Sequence, residues 1–158
     1  MKALVLSDAH GRYERMREVV ERAGVEVDVV VMCGDITNFG PLTHVKRMME
    51  ILKGKKVIGV GGNCDPPEIH QALEEEGAIP LHRRVVEMGD VLFMGIGGSN
   101  PTPFSTPFEM SEDSIRYMLE ELLSQIRDEN RTTCLVSHAP PYGVCDMVRG
   151  EHVGSKAI

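Results

Sequence analysis

The sequence predicts an α/β domain in which mixed sheets and helices form layers. Short apolar segments rich in β-branched residues alternate with longer segments whose apolar residues have the spacing of an amphipathic helix. Two further apolar segments lie on either side of Gly89-Asp90, a hairpin signal that indicates antiparallel strands beside the parallel ones. A length of 158 residues fits one core, so we expect a single domain over 1–158.

Each expected element follows from a local pattern. Buried strands are expected over 2–7, 27–33, 55–60 and 132–137, with the hairpin over 84–96. Helices are expected over 12–24, 42–52, 66–77 and 111–130. Gly24 should end the first helix, and Ser111 is a good N-cap residue for the last. The loop over 97–110 should be ordered and packed by its own phenylalanines, and the final GSKAI indicates the start of another helix.

The charge balance excludes several classes of partner. Asp and Glu number 24 against 17 Lys and Arg, and the net charge of -7 repels nucleic acid and anionic membranes. The apolar stretch before Ser7 is too short for a signal peptide or a membrane span. We therefore expect a cytoplasmic protein with a small-molecule partner, and homo-oligomerisation is left open.

The cysteines and several histidines carry no site pattern of their own. Cys33, Cys64, Cys134 and Cys145 lack CxxC spacing, which favours buried reduced thiols over disulfides or a structural zinc site. Three histidines fall in or beside helices and are expected at the surface: His44, His70 and His82.

Metal-binding residue types follow four of the expected strands. Asp8 and His10 come after the first strand, Asp35 after the second, Asn63 after the third and His138 after the strand over 132–137. Ligands of α/β sheets bind outside the carboxyl ends of the strands, so these side chains should converge. Asp8 and His10, two apart in an extended segment, would project to one side, and Asp35 could bridge two ions. Carboxylate, imidazole and amide groups suit Mn, Fe(II), Zn or Mg.

The ordered set D-x-H, G-D, G-N-x-D and S-H resembles the calcineurin-like metallophosphoesterase superfamily over Asp8 to His138. The segments GIGGSNPTPFSTPFE and GEHVGSKAI are similar to a prokaryotic branch of predicted phosphoesterases. The resemblance implies an αββα sandwich and hydrolysis of a phosphate ester, by our expectation a small or nucleotide-like diester, with water activated by two divalent ions: Mn, Fe, Zn or Ni.

The resemblance also implies the role of each site residue. Asp8 and His10 would bind the first metal, Asp35 would bridge both, and Asn63 and His138 would bind the second. The expected catalytic residues are Asn63, Asp65 and His138. Asn100 and His152 lie in long loops after the sheet, where contact with the substrate is expected.

Two positions depart from the family pattern. Cys64 stands where many members have the His of G-N-H-[DE], so substrates whose leaving group needs little protonation are favoured. The final G-H-x-H is absent, which predicts a domain without its last strand or strands, either truncated at the C-terminus or completed by a partner chain. A second hypothesis is therefore a non-catalytic phosphate- or nucleotide-binding domain. A Rossmann domain, suggested by Gly59, Gly61 and Gly62, has the wrong spacing for GxGxxG.

Overall fold

The computed structural model describes residues 1–23, 26–128 and 130–158. One sheet has four parallel strands in the order β1-β2-β3-β4: Ala3–Leu6, Val29–Cys33, Val57–Val60 and Ile79–Pro80. A second sheet has the order β5-β6-β7: Val85–Met88, Val91–Ile96 and Thr132–Ser137. The helices are α1 Tyr13–Ala23, α2 Thr43–Ile51, α3 Ile69–Glu75 and α4 Glu112–Ser124. A short hairpin near the C-terminus pairs β8, Met147–Val148, with β9, Glu151–His152.

The two sheets pack face to face between two layers of helix. Alternate residues of β2 point to opposite faces, as a period of two requires. Val30 and Met32 pack on the side of α1, α2 and α3, whereas Val29 and Val31 pack against the second sheet. Helix α4 covers the outer face of β6 through Ile115. This order of layers is the αββα sandwich that the sequence resemblance implies, and it confirms the mixed α/β fold class.

The second sheet confirms the hairpin prediction. Strands β5 and β6 are antiparallel and turn at Gly89-Asp90, with Met88 opposite Val91. Strand β6 is parallel to β7, and β7 has the predicted bounds, Thr132–Ser137. Ser111 caps α4 as predicted, since its side chain accepts a hydrogen bond from the Ser114 N–H.

Several expected elements are wrong in extent or burial. Strand β1 is an edge strand, so Val5 is 60% exposed although a fully buried strand was predicted. Helix α3 begins at Ile69 rather than 66. Helix α4 ends at Ser124 because the Ser124 hydroxyl and the Gln125 amide both donate to the Glu121 carbonyl and compete with the helical pattern. The predicted positions 24 and 129 lie outside the described residues.

The C-terminal residues form no helix. The backbone runs alongside Pro140 and Pro141, and the Ser155 N–H donates to the Pro140 carbonyl while the Tyr142 N–H donates to that of Ser155. This segment therefore forms its backbone hydrogen bonds with residues 140–142 of the same chain. The strands β4, β8 and β9 have two residues each and were not predicted.

Single side chains also differ from expectation. In the loop over 97–110, Phe108 is buried as expected but Phe104 is exposed. Cys33, Cys64 and Cys134 are half-buried free thiols, and Cys145 is exposed because it lies in the C-terminal hairpin region that the sequence did not reveal. Among the described residues, no helix has the length and apolar content needed to cross a membrane.

The cap of α4 gives a stability test. Replacing Ser111 with Ala removes the bond to the Ser114 N–H, so we expect the free energy of unfolding to fall by about 1 kcal/mol. Urea denaturation measures this change. Glu120→Ala, at an exposed position of the same helix, is the control and should change the free energy by less than about 0.5 kcal/mol. Equal effects of the two substitutions would contradict the capping role.

Candidate metal centre

The loops after β1 and β2 are joined by backbone hydrogen bonds beyond the ends of the strands. The Asp8 N–H donates to the Gly34 carbonyl at 3.1 Å, and the His10 N–H donates to the Asp35 carbonyl at 2.8 Å. Residues Asp8, His10 and Asp35 all have positive φ, at 57°, 44° and 49°. The extended conformation expected for Asp8 to His10 is therefore wrong. Non-glycine residues rarely adopt this region, and such strain concentrates at functional sites.

Asp35 lies between two groups of potential metal ligands. Its Oδ2 is 3.4 Å from the His10 Nε2, which is itself 3.6 Å from the Asp8 Oδ1. Its Oδ1 is 3.5 Å from the His138 Nε2. The ligand atoms of Asp8, Asp35 and His138 lie within 4.8 Å of one another. One carboxylate oxygen of Asp35 thus faces His10 and the other faces His138, a position that would let this residue contact an ion on either side.

The group on the His138 side consists of His138 and Asn63, and we call it the second ligand group. Its two hydrogen-bond acceptors, the His138 Nε2 and the Asn63 Oδ1, face each other. The His138 Nδ1 lies 2.8 Å from the Cys33 carbonyl and donates to it, which leaves a lone pair on Nε2 when the ring is neutral. That Nε2 is 2.9 Å from the Asn63 Oδ1, whose orientation is fixed because the Asn63 Nδ2 donates to the Thr106 Oγ1 at 3.0 Å. Two acceptors at this distance need a cation between them or a proton on the ring. The donor set therefore fits a divalent ion.

Asp65 is fully buried behind the ligands. Its carboxylate accepts hydrogen bonds from the backbone N–H groups of Ile36, Thr37 and Gly62, at 3.0, 2.7 and 2.9 Å. These bonds join the loop after β3 to the loop after β2, which carries Asp35. The sequence predicts Asp65 to be a catalytic residue. In the structure its carboxylate is bonded to the backbone of the loops that carry Asp35 and Asn63, so it is suited to positioning those residues.

Two glycines allow the loops to approach. A Cβ on Gly62 would collide with the carboxylate and backbone nitrogen of Asp35, and one on Gly34 would lie 2.6 Å from the His138 Nδ1. Gly34 also has a φ of 95°, which favours glycine. The distances between the ligand groups therefore depend on the absence of side chains at both positions.

Comparison with known proteins decides the family. The sequence matches the family described as Calcineurin-like phosphoesterase over residues 1–157. The chain belongs to this family. It is 37% identical over 164 residues to the uncharacterized protein MJ1162 of Methanocaldococcus jannaschii, covering 100% of this chain and 71% of the relative. The family's chemistry is the metal-dependent hydrolysis of phosphate esters, to which the donor set described above corresponds.

Solved structures confirm the fold. One superposes with a TM-score of 0.79 at 17% identity, over 99% of this chain and 77% of the other. A second, the phosphopantetheinyl hydrolase PptH of Mycobacterium tuberculosis, gives a TM-score of 0.57 at 13% identity, over 88% of this chain and 68% of the other.

Cys64 lies in the loop after β3, next to Asn63. Its backbone N–H donates to the Asp35 Oδ1 at 2.9 Å, and its Sγ lies with the ligand atoms of His10 and Asp35. Burial, together with the charge and hydrogen bond of Asp35, raises the pKa of the Cys64 thiol to about 12. The thiol is therefore neutral at neutral pH and is a poor hydrogen-bond donor.

His70 and His82 have a supporting role that the sequence did not reveal. Both were expected at the surface, but they are half-buried and their rings stack with centroids 4.8 Å apart. The His70 Nε2 accepts from the Gly61 N–H, and the His82 Nδ1 accepts from the Gly97 N–H. Burial lowers the pKa of His70, and burial, His70 and Arg83 lower that of His82 to about 4. The neutral rings thus hold the loops that follow β3 and β6.

Asn100 and His152, expected to contact the substrate, are tied to the C-terminal segment by hydrogen bonds, although the loop that carries Asn100 also contacts Asn63 through Thr106. The Asn100 Nδ2 donates to the Val153 carbonyl at 3.1 Å, and the His152 Nδ1 donates to the buried Asp146 at 2.6 Å. Burial opposes ionisation of Asp146, but bonds from His152 and from the Gly143 and Gly154 backbones hold its pKa at about 2. Within the described residues, neither Asn100 nor His152 has a recorded contact with the metal-ligand groups.

The close approach at Gly62 gives a test of the geometry. In Gly62→Ala, the new methyl group must displace Asp35, so we expect the affinity for Mn²⁺ to fall at least about tenfold. Isothermal titration calorimetry measures this affinity. Gly89→Ala, at a glycine with positive φ and open space around it, controls for general backbone strain and should bind Mn²⁺ like the parent chain. Unchanged affinity in Gly62→Ala would show that the site does not need this contact.

Proposed function

We propose that this chain is a phosphodiesterase that uses two divalent ions. The observation that carries the proposal is the position of Asp35, with one carboxylate oxygen toward His10 and the other toward His138. Membership of the calcineurin-like phosphoesterase family supports a metal-dependent phosphoesterase in general. The proposal goes beyond family membership in two respects, the use of two ions and the choice of a diester as substrate.

The residues divide between the two ions. Asp8 and His10 would hold the first, Asn63 and His138 the second, and Asp35 both. Carboxylate, imidazole and amide ligands suit Mn, Fe, Zn or Ni. When bound, two ions supply a water molecule of lowered pKa and polarise the oxygens of the phosphoryl group.

The protein keeps the ligands in place and leaves one side open. The Cys33 carbonyl fixes the tautomer of His138, and the buried Asp65 holds the loops together. The Asp8 side chain is 58% exposed and that of His10 is 32% exposed, whereas that of Asp35 is 5% exposed. A phosphate ester would therefore approach from the side of Asp8 and His10.

The environment of Cys64 bears on the choice of substrate. A thiol is a weak hydrogen-bond donor and, unlike an imidazolium group, is poorly suited to protonating a leaving oxygen. We therefore infer that aryl esters, and diesters whose leaving oxygen is weakly basic, are the preferred substrates. The substrate that we propose is a small or nucleotide-like phosphate ester. The acidic charge and four free cysteines fit a reducing compartment, and we propose the cytoplasm.

The alternative is a phosphate- or nucleotide-binding domain without catalysis. Each ion would receive three side chains from the described residues, counting Asp35 twice. Fewer protein ligands generally mean weaker metal binding, so a site with this ligand set could bind phosphate without turnover. A test of the proposal must therefore measure binding and turnover separately.

Asp35→Asn separates the two functions. With bis-p-nitrophenyl phosphate and Mn²⁺, Ni²⁺, Co²⁺ or Zn²⁺, the parent chain should turn over and the variant should lose more than about 100-fold in rate, because the bridging charge is gone. Asp28→Asn, at the opposite end of β2, is the matched control and should retain full activity.

Calorimetry completes this experiment. The enzyme proposal expects metal binding by the parent chain and weakened binding by Asp35→Asn. Absence of turnover and of metal binding with all four ions would refute the proposal. Absence of turnover together with nucleotide binding that survives in Asp35→Asn would favour the binding domain instead.

A further inference from the structure

A positively charged cleft lies beside the metal centre, between α1 and α2. It has a volume of about 540 Å³, and three arginines and one glutamate line it. The lining residues that the argument uses are Arg12, Tyr13, Thr43, His44 and Arg47. Since the whole chain has a net charge of -7, the local sign is reversed here. Such a concave positive site attracts anionic ligands.

The cleft is connected to the ligand residues through the loop that follows β1. Gly11, in its wall, follows His10, and its N–H donates to the Ile36 carbonyl in the loop that carries Asp35. Arg12 also lines a second groove, of about 350 Å³, whose wall includes Asp8. One ligand molecule can therefore extend from the exposed side of the metal centre past Arg12 into the cleft.

Two buried polar atoms in the cleft wall have no hydrogen-bond partner among the described residues. They are the Tyr13 hydroxyl and the His44 Nδ1, on rings in edge-to-face contact with centroids 5.3 Å apart. Tyr13 is only 6% exposed. Buried polar groups without a partner are rare in proteins and often mark functional sites. Burial and the nearby Asp65 raise the pKa of Tyr13 to about 12, although Arg47 opposes this, so the hydroxyl remains a donor at neutral pH.

The arginines are free to turn toward a ligand. Arg47 contacts Glu14 at 3.2 Å and lies over the Tyr13 ring, 5.8 Å from its centroid. This ion pair is exposed on both sides and therefore weak. The Arg12 side chain has no hydrogen bond or ion pair within the described residues. A guanidinium group binds phosphate through two parallel hydrogen bonds. The weak ion pair with Glu14 can be exchanged for these bonds when a phosphate binds to Arg47.

We propose that this cleft binds a second phosphate group of the substrate, while the scissile phosphate lies at the metal centre. Arg12 and Arg47 bind the second phosphate, and Tyr13 and His44 form the base of the cleft. This inference rests on the proposed phosphodiesterase function and adds the substrate class, which is a phosphodiester bearing a further phosphate, as in a 5′-ester of a nucleoside 3′,5′-bisphosphate.

Kinetics with a matched pair of substrates test the inference. The p-nitrophenyl ester of thymidine 5′-phosphate has one phosphate, and the same ester with a 3′-phosphate has two. We expect kcat/KM to be higher for the second, and the double variant Arg12→Met/Arg47→Met to reduce that preference by about tenfold or more. Arg22→Met, at an exposed arginine in the last turn of α1 and outside the cleft lining, is the control and should keep the preference.

A binding measurement separates the cleft from catalysis. Inorganic pyrophosphate is titrated into the metal-free chain, and backbone NMR shifts should change over residues 11–15 and 43–47. The double arginine variant should bind about tenfold more weakly or worse, while Asp35→Asn should bind normally. If both esters are turned over with equal kcat/KM, and the arginine substitutions have no effect, the proposal that the cleft binds a second phosphate is wrong while the phosphoesterase proposal stands. No turnover, with pyrophosphate binding that depends on the arginines, would leave an anion-binding cleft but would overturn both the phosphoesterase and the proposed substrate class.

Discussion

The proposed metal centre depends on one buried carboxylate, that of Asp65. It accepts hydrogen bonds from three backbone N–H groups and so joins the loop after β3 to the loop after β2. Hydrogen bonds to an ionised group are about twice as strong as neutral ones, and removing one partner from such a buried network is costly. Through these bonds Asp35 and Asn63 take fixed positions relative to each other. The strained backbone at Asp35 is held by the same interactions.

The sandwich brings the remaining ligands to the same place. Parallel pairing of β1, β2 and β3 sets their carboxyl ends at one edge, which puts Asp8 and His10 beside Asp35. Strand β7 belongs to the other sheet, and His138 reaches the site because it follows that strand and donates to the end of β2 at Cys33. The two layers of sheet thus each contribute to the second ligand group. The arginine-lined cleft lies on the helical side, where α1 begins directly after the first loop.

The sequence predicts the elements and ligand types better than their detailed geometry. Strand β7 and the hairpin at Gly89-Asp90 were predictable because continuous apolar segments and a turn dipeptide define them locally. The convergence of Asp8, His10, Asp35, Asn63 and His138 follows from the rule that ligands bind at the ends of parallel strands. The left-handed backbone at Asp8 and His10, the burial of Asp65 and the stacking of His70 on His82 depend on contacts between loops distant in sequence, so no local pattern reports them.

The central claim is that Asp35 bridges two ions. A crystal structure of the chain grown with Mn²⁺ and recorded at the manganese absorption edge tests it most directly, because anomalous peaks locate the ions without reference to activity. We expect two peaks on opposite oxygens of Asp35, one contacted by Asp8 and His10 and the other between Asn63 and His138. Peaks away from Asp35, or a His138 ring that remains hydrogen-bonded directly to Asn63 with no ion between them, would contradict the account.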